Sequence, residues 1–474
     1  IWLEFLTQNS LAILPVVLFT IAPLVYFKNR GASWRDFADG NIIRVIVGLV
    51  AGILAWTFSS YDTNLYYGFS HWSDRLLLLL FFGMLLWKPI AVLPFILIVL
   101  MTIGQFHYPL GGYSTADTMP LVRMLIAFLA MLLLQISLKK NFATAFIIML
   151  LCILVSGYWI SGNGKFNREW FFYDNIYYLL PATYSTGWLA AFSVETISQL
   201  TRHLAVFNWP MKISTLILEA SSLFVLMRRK STLILLIGWI GFHCAVFAVS
   251  GILFWRWMLI ESCLVFLFLK YSELEIFDVF NTSNFILSLV LILGASYWFK
   301  PVELAWYDSK VNYAYRFEGI GESGKIYDLS AQFFAPYEYQ FTQAPFAYLS
   351  NEKQLNLVWG ATGRKTARAL RDVRTENDVF ALEEERGRNS YNEKKVKRFE
   401  NFIRNYVKNV NSTRSKQTWW EPVQAPSLLQ SSERGRAYDG EEEIVEVVAY
   451  QVTTLFDEEN YIEFRKRELQ RIKI

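Results

Sequence analysis

An all-α polytopic membrane domain of about ten helices, followed by a small extramembrane α+β or β-rich domain, is the fold class that the sequence predicts. Three observations predict it. Of 474 residues, 54% are hydrophobic and 18% charged, where soluble domains carry about 25% charge. Apolar residues crowd the chain before Phe299 and charged residues crowd it afterwards. That boundary sets a transmembrane domain at 1–299 and an extramembrane domain at 300–474. Finally, Lys and Arg are concentrated in alternate connections between apolar segments, as expected of helices that cross a bilayer back and forth.

The apolar segments run 11–27, 42–59, 75–87, 90–106, 121–138, 143–161, 211–227, 232–250, 251–269 and 285–299. A crossing helix needs about 20 apolar residues. The third and last are short for that, and would borrow flanking aromatics or pack behind other helices. Lys28, Arg30 and Arg35 follow the first segment, Lys88 the third, Lys139 and Lys140 the fifth, Arg228 to Lys230 the seventh and Lys270 the ninth. The connections SYDTNLYYGFSHWSD and HYPLGGYSTADTMP hold no Lys or Arg. By the positive-inside rule the chain is a multi-pass integral membrane protein whose C-terminal domain lies on the non-cytoplasmic side, periplasmic or lumenal.

The connection 162–210 is rich in aromatics, among them Trp170, Phe171, Phe172, Tyr177, Tyr178 and Trp188, which suits a membrane–water interface. Leu189, Phe192, Thr196, Leu200 and Leu204 recur near helical spacing, so a helix is expected to lie along the outer face. Beyond Pro301, aromatic and β-branched runs flank GESGK and predict two strands around a turn. Val396, Phe399, Phe402, Ile403 and Tyr406 form one stripe of an amphipathic helix over 392–410. EEIVEVVAYQVTTLF reads as a strand, and IEFRKRELQRIKI alternates charge with aliphatics.

Composition excludes several functions. The net charge of +4 gives no warrant for a nucleic-acid partner. Cys152, Cys244 and Cys263 all lie in apolar segments without CxxC spacing, so no disulfide framework is readable. His71, His107, His203 and His243 are scattered singly, and no metal is expected. Nucleotide-binding, zinc-protease and serine-hydrolase signatures are absent from the sequence.

The stretch 211–269 holds the chemistry instead, because Glu219, His243, Arg256 and Glu261 fall inside its apolar segments. A charge at the bilayer centre costs about 2.5–3.5 kcal/mol or more, so such residues turn inward, find partners and mark sites by default. Arg256 is expected to pair with Glu219, and Glu261 to face outward or toward Lys270. A purely structural pairing of these groups would leave the same trace. Lys165 stands where the sixth segment leaves the membrane, between Gly164 and Phe166. A lysine desolvated among aromatics can serve as a general base, although most lysines at helix ends simply snorkel to the interface.

RHLAVFNWPMKIST, followed by the acid-bearing helix around Glu219 and the Phe-His-Cys at 242–244, resembles the membrane domain of the vitamin K-dependent gamma-glutamyl carboxylases and their bacterial relatives, the HTTM family. SGNGKFNREW is similar to the small-residue–Lys–aromatic segment that carries that family's base. The likeness spans about 155–265, and a long aromatic insertion between Lys165 and Arg202-His203 departs from it. The resemblance implies a reduced quinone of the vitamin K type with O2 and CO2, Lys165 and His243 as catalytic groups, and a cavity lined by Glu219, Arg256, His203 and Trp239. It also implies a protein substrate or partner subunits on the outer side, with membrane lipid around the helices. A non-enzymatic accessory or scaffold subunit of a larger complex is the alternative. A transporter is disfavoured by the lack of paired hydropathy repeats. An enzyme should enclose an apolar slot reaching Lys165 and His243, whereas a scaffold should fill that volume with its own side chains.

Overall fold

The computed structural model describes residues 33–37, 40–60, 72–270, 278–360, 362–413 and 423–474. The expected segment 11–27, Lys28, Arg30 and His71 lie outside them. Among the described residues the longer helices before residue 299 are α1 (Gly40–Ser60), α2 (Trp72–Trp87), α3 (Val92–Leu110), α4 (Met119–Leu138), α5 (Ala143–Asn167), α6 (Val194–Val206), α7 (Asn208–Ala220), α8 (Arg229–Ser250), α9 (Trp255–Lys270) and α10 (Thr282–Leu293). Among the described residues five helices are long and apolar enough to cross a membrane: α1, α3 with its leading turn from Pro89, α4, α5 and α8. The others are shorter.

Local sequence sets these boundaries. Pro120 opens α4 where its missing N–H costs nothing. The Ser193 side chain caps α6 by accepting from Thr196 N, and Asn281 caps α10 through Asn284 N. Gly251 ends α8 at φ +72°, and a Cβ there would sit 2.7 Å from the Trp188 ring. Both conditions demand glycine. Two expectations are corrected. The segment 211–227 is not one helix, because α7 stops at Ala220 and tightens into a 3₁₀ turn over Ser221–Phe224. The sixth segment runs past 161 to Asn167, which places Lys165 within the last turn of α5 and not after it.

The C-terminal region is an α+β unit. Strands β1 (Val311–Gly321), β2 (Ile326–Leu329), β3 (Ile444–Phe456) and β4 (Tyr461–Lys473) form an antiparallel sheet in the order β2-β1-β3-β4. α11 (Glu376–Arg386) is held at its start by a Thr375–Asp378 capping box. α12 (Glu393–Thr413) buries the expected stripe of Val396, Phe399, Phe402, Ile403 and Tyr406. Phe317 of β1 meets Phe341 at 5.0 Å and Phe334 at 5.4 Å between ring centroids, making an aromatic core.

This domain sits on one end of the bundle. Trp56 and Trp255 donate to the carbonyls of Val423 and Pro426 at 2.7 and 2.8 Å. Leu253 N donates to Leu428 O at 2.7 Å, and Gln430 N to Gly251 O at 3.0 Å. Arg398 of α12 reaches Pro109 O at 3.1 Å, beside the end of α3. The opposite end gathers the residues before α1 and after α4, where Gln135 donates to Asp36 O at 2.8 Å. Lys88, Lys139, Lys140, Arg228 to Lys230 and Lys270 all flank helix termini of that second group.

Candidate functional site

The site is built on one face of α5. Tyr158, Ser161, Gly162 and Lys165 follow the i, i+3, i+4, i+7 spacing that stacks side chains along a single stripe. A Cβ at Gly162 would lie 2.9 Å from Glu219 Cβ, so glycine lets α7 approach α5 closely. That approach brings Lys165 Nζ to 2.5 Å from Glu219 Oε1, with both side chains under a tenth exposed. Lys165 also donates to Leu304 O at 3.0 Å, and its ammonium stands 5.5 Å from the Trp170 ring centroid.

A second buried cluster lies about two helical turns deeper in the bundle. The Tyr158 hydroxyl donates to Glu261 Oε1 at 2.6 Å and lies 2.6 Å from His243 Nε2. Trp239 stacks on Tyr158 with centroids 4.6 Å apart and planes 8° from parallel, and its indole N–H donates to Leu218 O at 3.1 Å. Trp239 and His243 are four residues apart, so one face of α8 supplies both.

Between these clusters is a cavity of about 160 Å³. Lys165, Glu219, Tyr158 and His243 line it, and Ile153, Phe242, Val246, Phe254 and Trp257 make much of its wall apolar. Asp308, from the chain after α10, closes one side. Its backbone N–H donates to Asp174 Oδ1 at 2.6 Å, and Lys212 donates to Asp174 O at 2.9 Å. Burial outweighs the Asp308 N–H bond and the Lys212 charge and pushes the Asp174 carboxyl up to about 7. Asp308 is raised as well, by burial and then by the neighbouring Asp174 charge.

The structure thus brings Lys165, His243 and Glu219 to one cavity and leaves other expected site residues out. His203 is exposed on α6, with Nδ1 2.7 Å from Gln199 O, because it falls on the outward stripe of that helix. Trp239 supports the wall from behind Tyr158 and does not line it. Arg256 pairs with Asp117, not Glu219, and its Nε donates to Thr57 Oγ1 at 3.0 Å. α9 begins at Trp255, which puts Arg256 at the helix end beside the turn before α4. Glu261 is fully buried against Tyr158 and does not face outward or reach toward Lys270. It shares the inward face of α9 with Ile260, Leu264 and Phe268.

Tyr158, Asp308, Asp174 and Asp117 were not singled out from the sequence. Tyr158 stands exactly seven residues before Lys165, and that helical repeat was the available signal for it. Among the described residues no group of three or more His, Cys, Asp or Glu could hold a metal ion. No family model matches the sequence, and no curated protein or solved structure matches it.

Proposed function

We propose that the chain is a carboxylase-like integral membrane enzyme that works on a lipid-soluble quinol, as its resemblance to the HTTM and vitamin K-dependent carboxylase families implies. The observation that carries this reading is the single cavity reached by both Lys165 and His243. The residues present suit a reduced quinone. The walls are apolar, polar groups stand at two separated points, and an engineered apolar cavity of about 150 Å³ holds a benzene ring. Such a quinol, with O2, would supply the strong base that lets CO2 add to a substrate carbon. With its own proton passed to Glu219, 2.5 Å away, the neutral Lys165 amine would take the hydroxyl proton. His243, held by Tyr158, would orient the opposite side of the ring. Phe242, Phe254 and Trp257 would exclude water from the reacting atoms.

The purified chain, given a reduced naphthoquinone, O2 and labelled bicarbonate, should consume the quinol and form its oxidised product. Protein that binds no quinol and consumes none would return the accessory-scaffold reading to first place.

The proposed topology has ten crossings, with 11–27 as the first and α2, α7 with its 3₁₀ extension, α9 and α10 as the shorter ones. The basic end is cytoplasmic under the positive-inside rule and the C-terminal domain is external. A reporter fused after Lys230 should read cytoplasmic, and one fused after Phe299 external. Both on the same side would rule the arrangement out.

A further inference from the structure

Arg123 is the one charged residue of α4. It lies about one turn inside the helix, half-buried, and lines the cavity with Ala116 and Pro120. Neighbouring cations are neutralised within the protein: Lys165 by Glu219 and Arg256 by Asp117. Arg123 makes no hydrogen bond or ion pair among the described residues. Asp308, the other carboxylate on this wall besides Glu219, instead accepts the indole N–H of Trp306 at 3.1 Å. A guanidinium cannot shed its charge in a protein. An uncompensated charge in an apolar helix is costly and points to a missing partner.

We propose that the cavity binds a lipophilic anion, its apolar body against Ile153, Phe242, Val246 and Trp257 and its carboxylate or phosphate on Arg123. The planar guanidinium matches either head in a bidentate fork. The space of about 160 Å³ takes the segment next to the head, and the remainder of a long chain passes into the bilayer. This inference concerns what the cavity holds, does not rest on Lys165 acting as a base, and makes the anion a competitor of the proposed quinol for the same walls. A free fatty acid and a monoacyl phosphate lipid both offer the required chemistry.

The test uses the full chain in neutral detergent, titrated with a fluorescent polyene fatty acid and with the corresponding alcohol. The acid should bind about tenfold or more tightly than the alcohol, the worth of one charge-assisted pair. Arg123→Gln should erase that preference and leave alcohol binding unchanged, while Arg123→Lys should keep part of it. Competition by a fatty acid and by a monoacyl phosphate of equal chain length assigns the source, the stronger competitor being the natural head. Equal binding of acid and alcohol to the unmodified chain, a preference that survives Arg123→Gln, or no binding of either probe would overturn the proposal. Arg123 would then be a residue that reaches toward the lipid headgroups.

Discussion

Lys165→Ala should lower turnover by at least about a hundredfold, the usual range for loss of a positioned general base, while quinone binding is nearly unchanged. kcat and kcat/KM should fall together, because the lost interaction belongs to the transition state and not to ground-state binding. Lys165→Arg should fail as well, since a guanidinium stays protonated. The single alanine variant carries a second effect that must be separated from the first. It leaves Glu219 buried without its partner, and orphaning one member of a buried pair typically costs about 3–5 kcal/mol. The double variant Lys165→Met with Glu219→Gln removes both charges at similar volume, so it should recover folded yield and remain inactive. Quinol oxidation in single turnover and quenching of tryptophan fluorescence on quinone binding read the two properties independently. Activity within tenfold of the unmodified chain in Lys165→Ala, with quinone still bound, would end the base assignment.

The parts of this protein that follow a periodic pattern were legible before the structure. The stripe from Val396 to Tyr406 repeats near every 3.6 residues, and its burial follows from that repeat alone. The strands flanking GESGK and the one over 444–456 are likewise set by short-range patterning and turn chemistry, whereas IEFRKRELQRIKI, read only as alternating charge and aliphatics, proves to be the strand 461–473. Lys165, Glu219 and His243 stood out because an ionisable group in an apolar run is costly wherever the run folds. Their partners were not legible. Tyr158 counts as one more apolar residue in α5, and its acceptor Glu261 is 103 residues away. Asp117 sits in a connection that the charge rule treats as empty because it lacks Lys and Arg. The break after Ala220 was hidden too, since the apolar run continues while the backbone tightens into a 3₁₀ turn. That break fixes the limits of α7, so an ion pair inferred from mid-segment positions pointed to the wrong acid.

Asp117→Asn should destabilise the protein by about 3–5 kcal/mol, because it leaves the Arg256 guanidinium without its nearest carboxylate in a buried site. Both side chains of this pair are 6% exposed or less. Thr57, itself fully buried, holds Arg256 Nε, and the guanidinium carbon lies 4.6 Å from the Trp255 ring centroid. The pair ties the end of α1 and the start of α9 to the turn before α4, at the level where the C-terminal domain docks. Glu338 is the next carboxylate to feel Arg256, and burial pushes it up to about 7, so near neutral pH it carries part of a charge and compensates incompletely. Arg256→Met with Asp117→Leu, which removes both charges and keeps apolar volume, should cost much less than Asp117→Asn alone. Arg404→Gln serves as the control, since its i, i+4 pair with Glu400 is partly exposed and is expected to contribute about 0.3–0.5 kcal/mol. Thermal unfolding in one detergent, followed by tryptophan fluorescence, ranks the three. If Asp117→Asn unfolds with the Arg404→Gln control, this pair does not hold the domain-facing end of the bundle together.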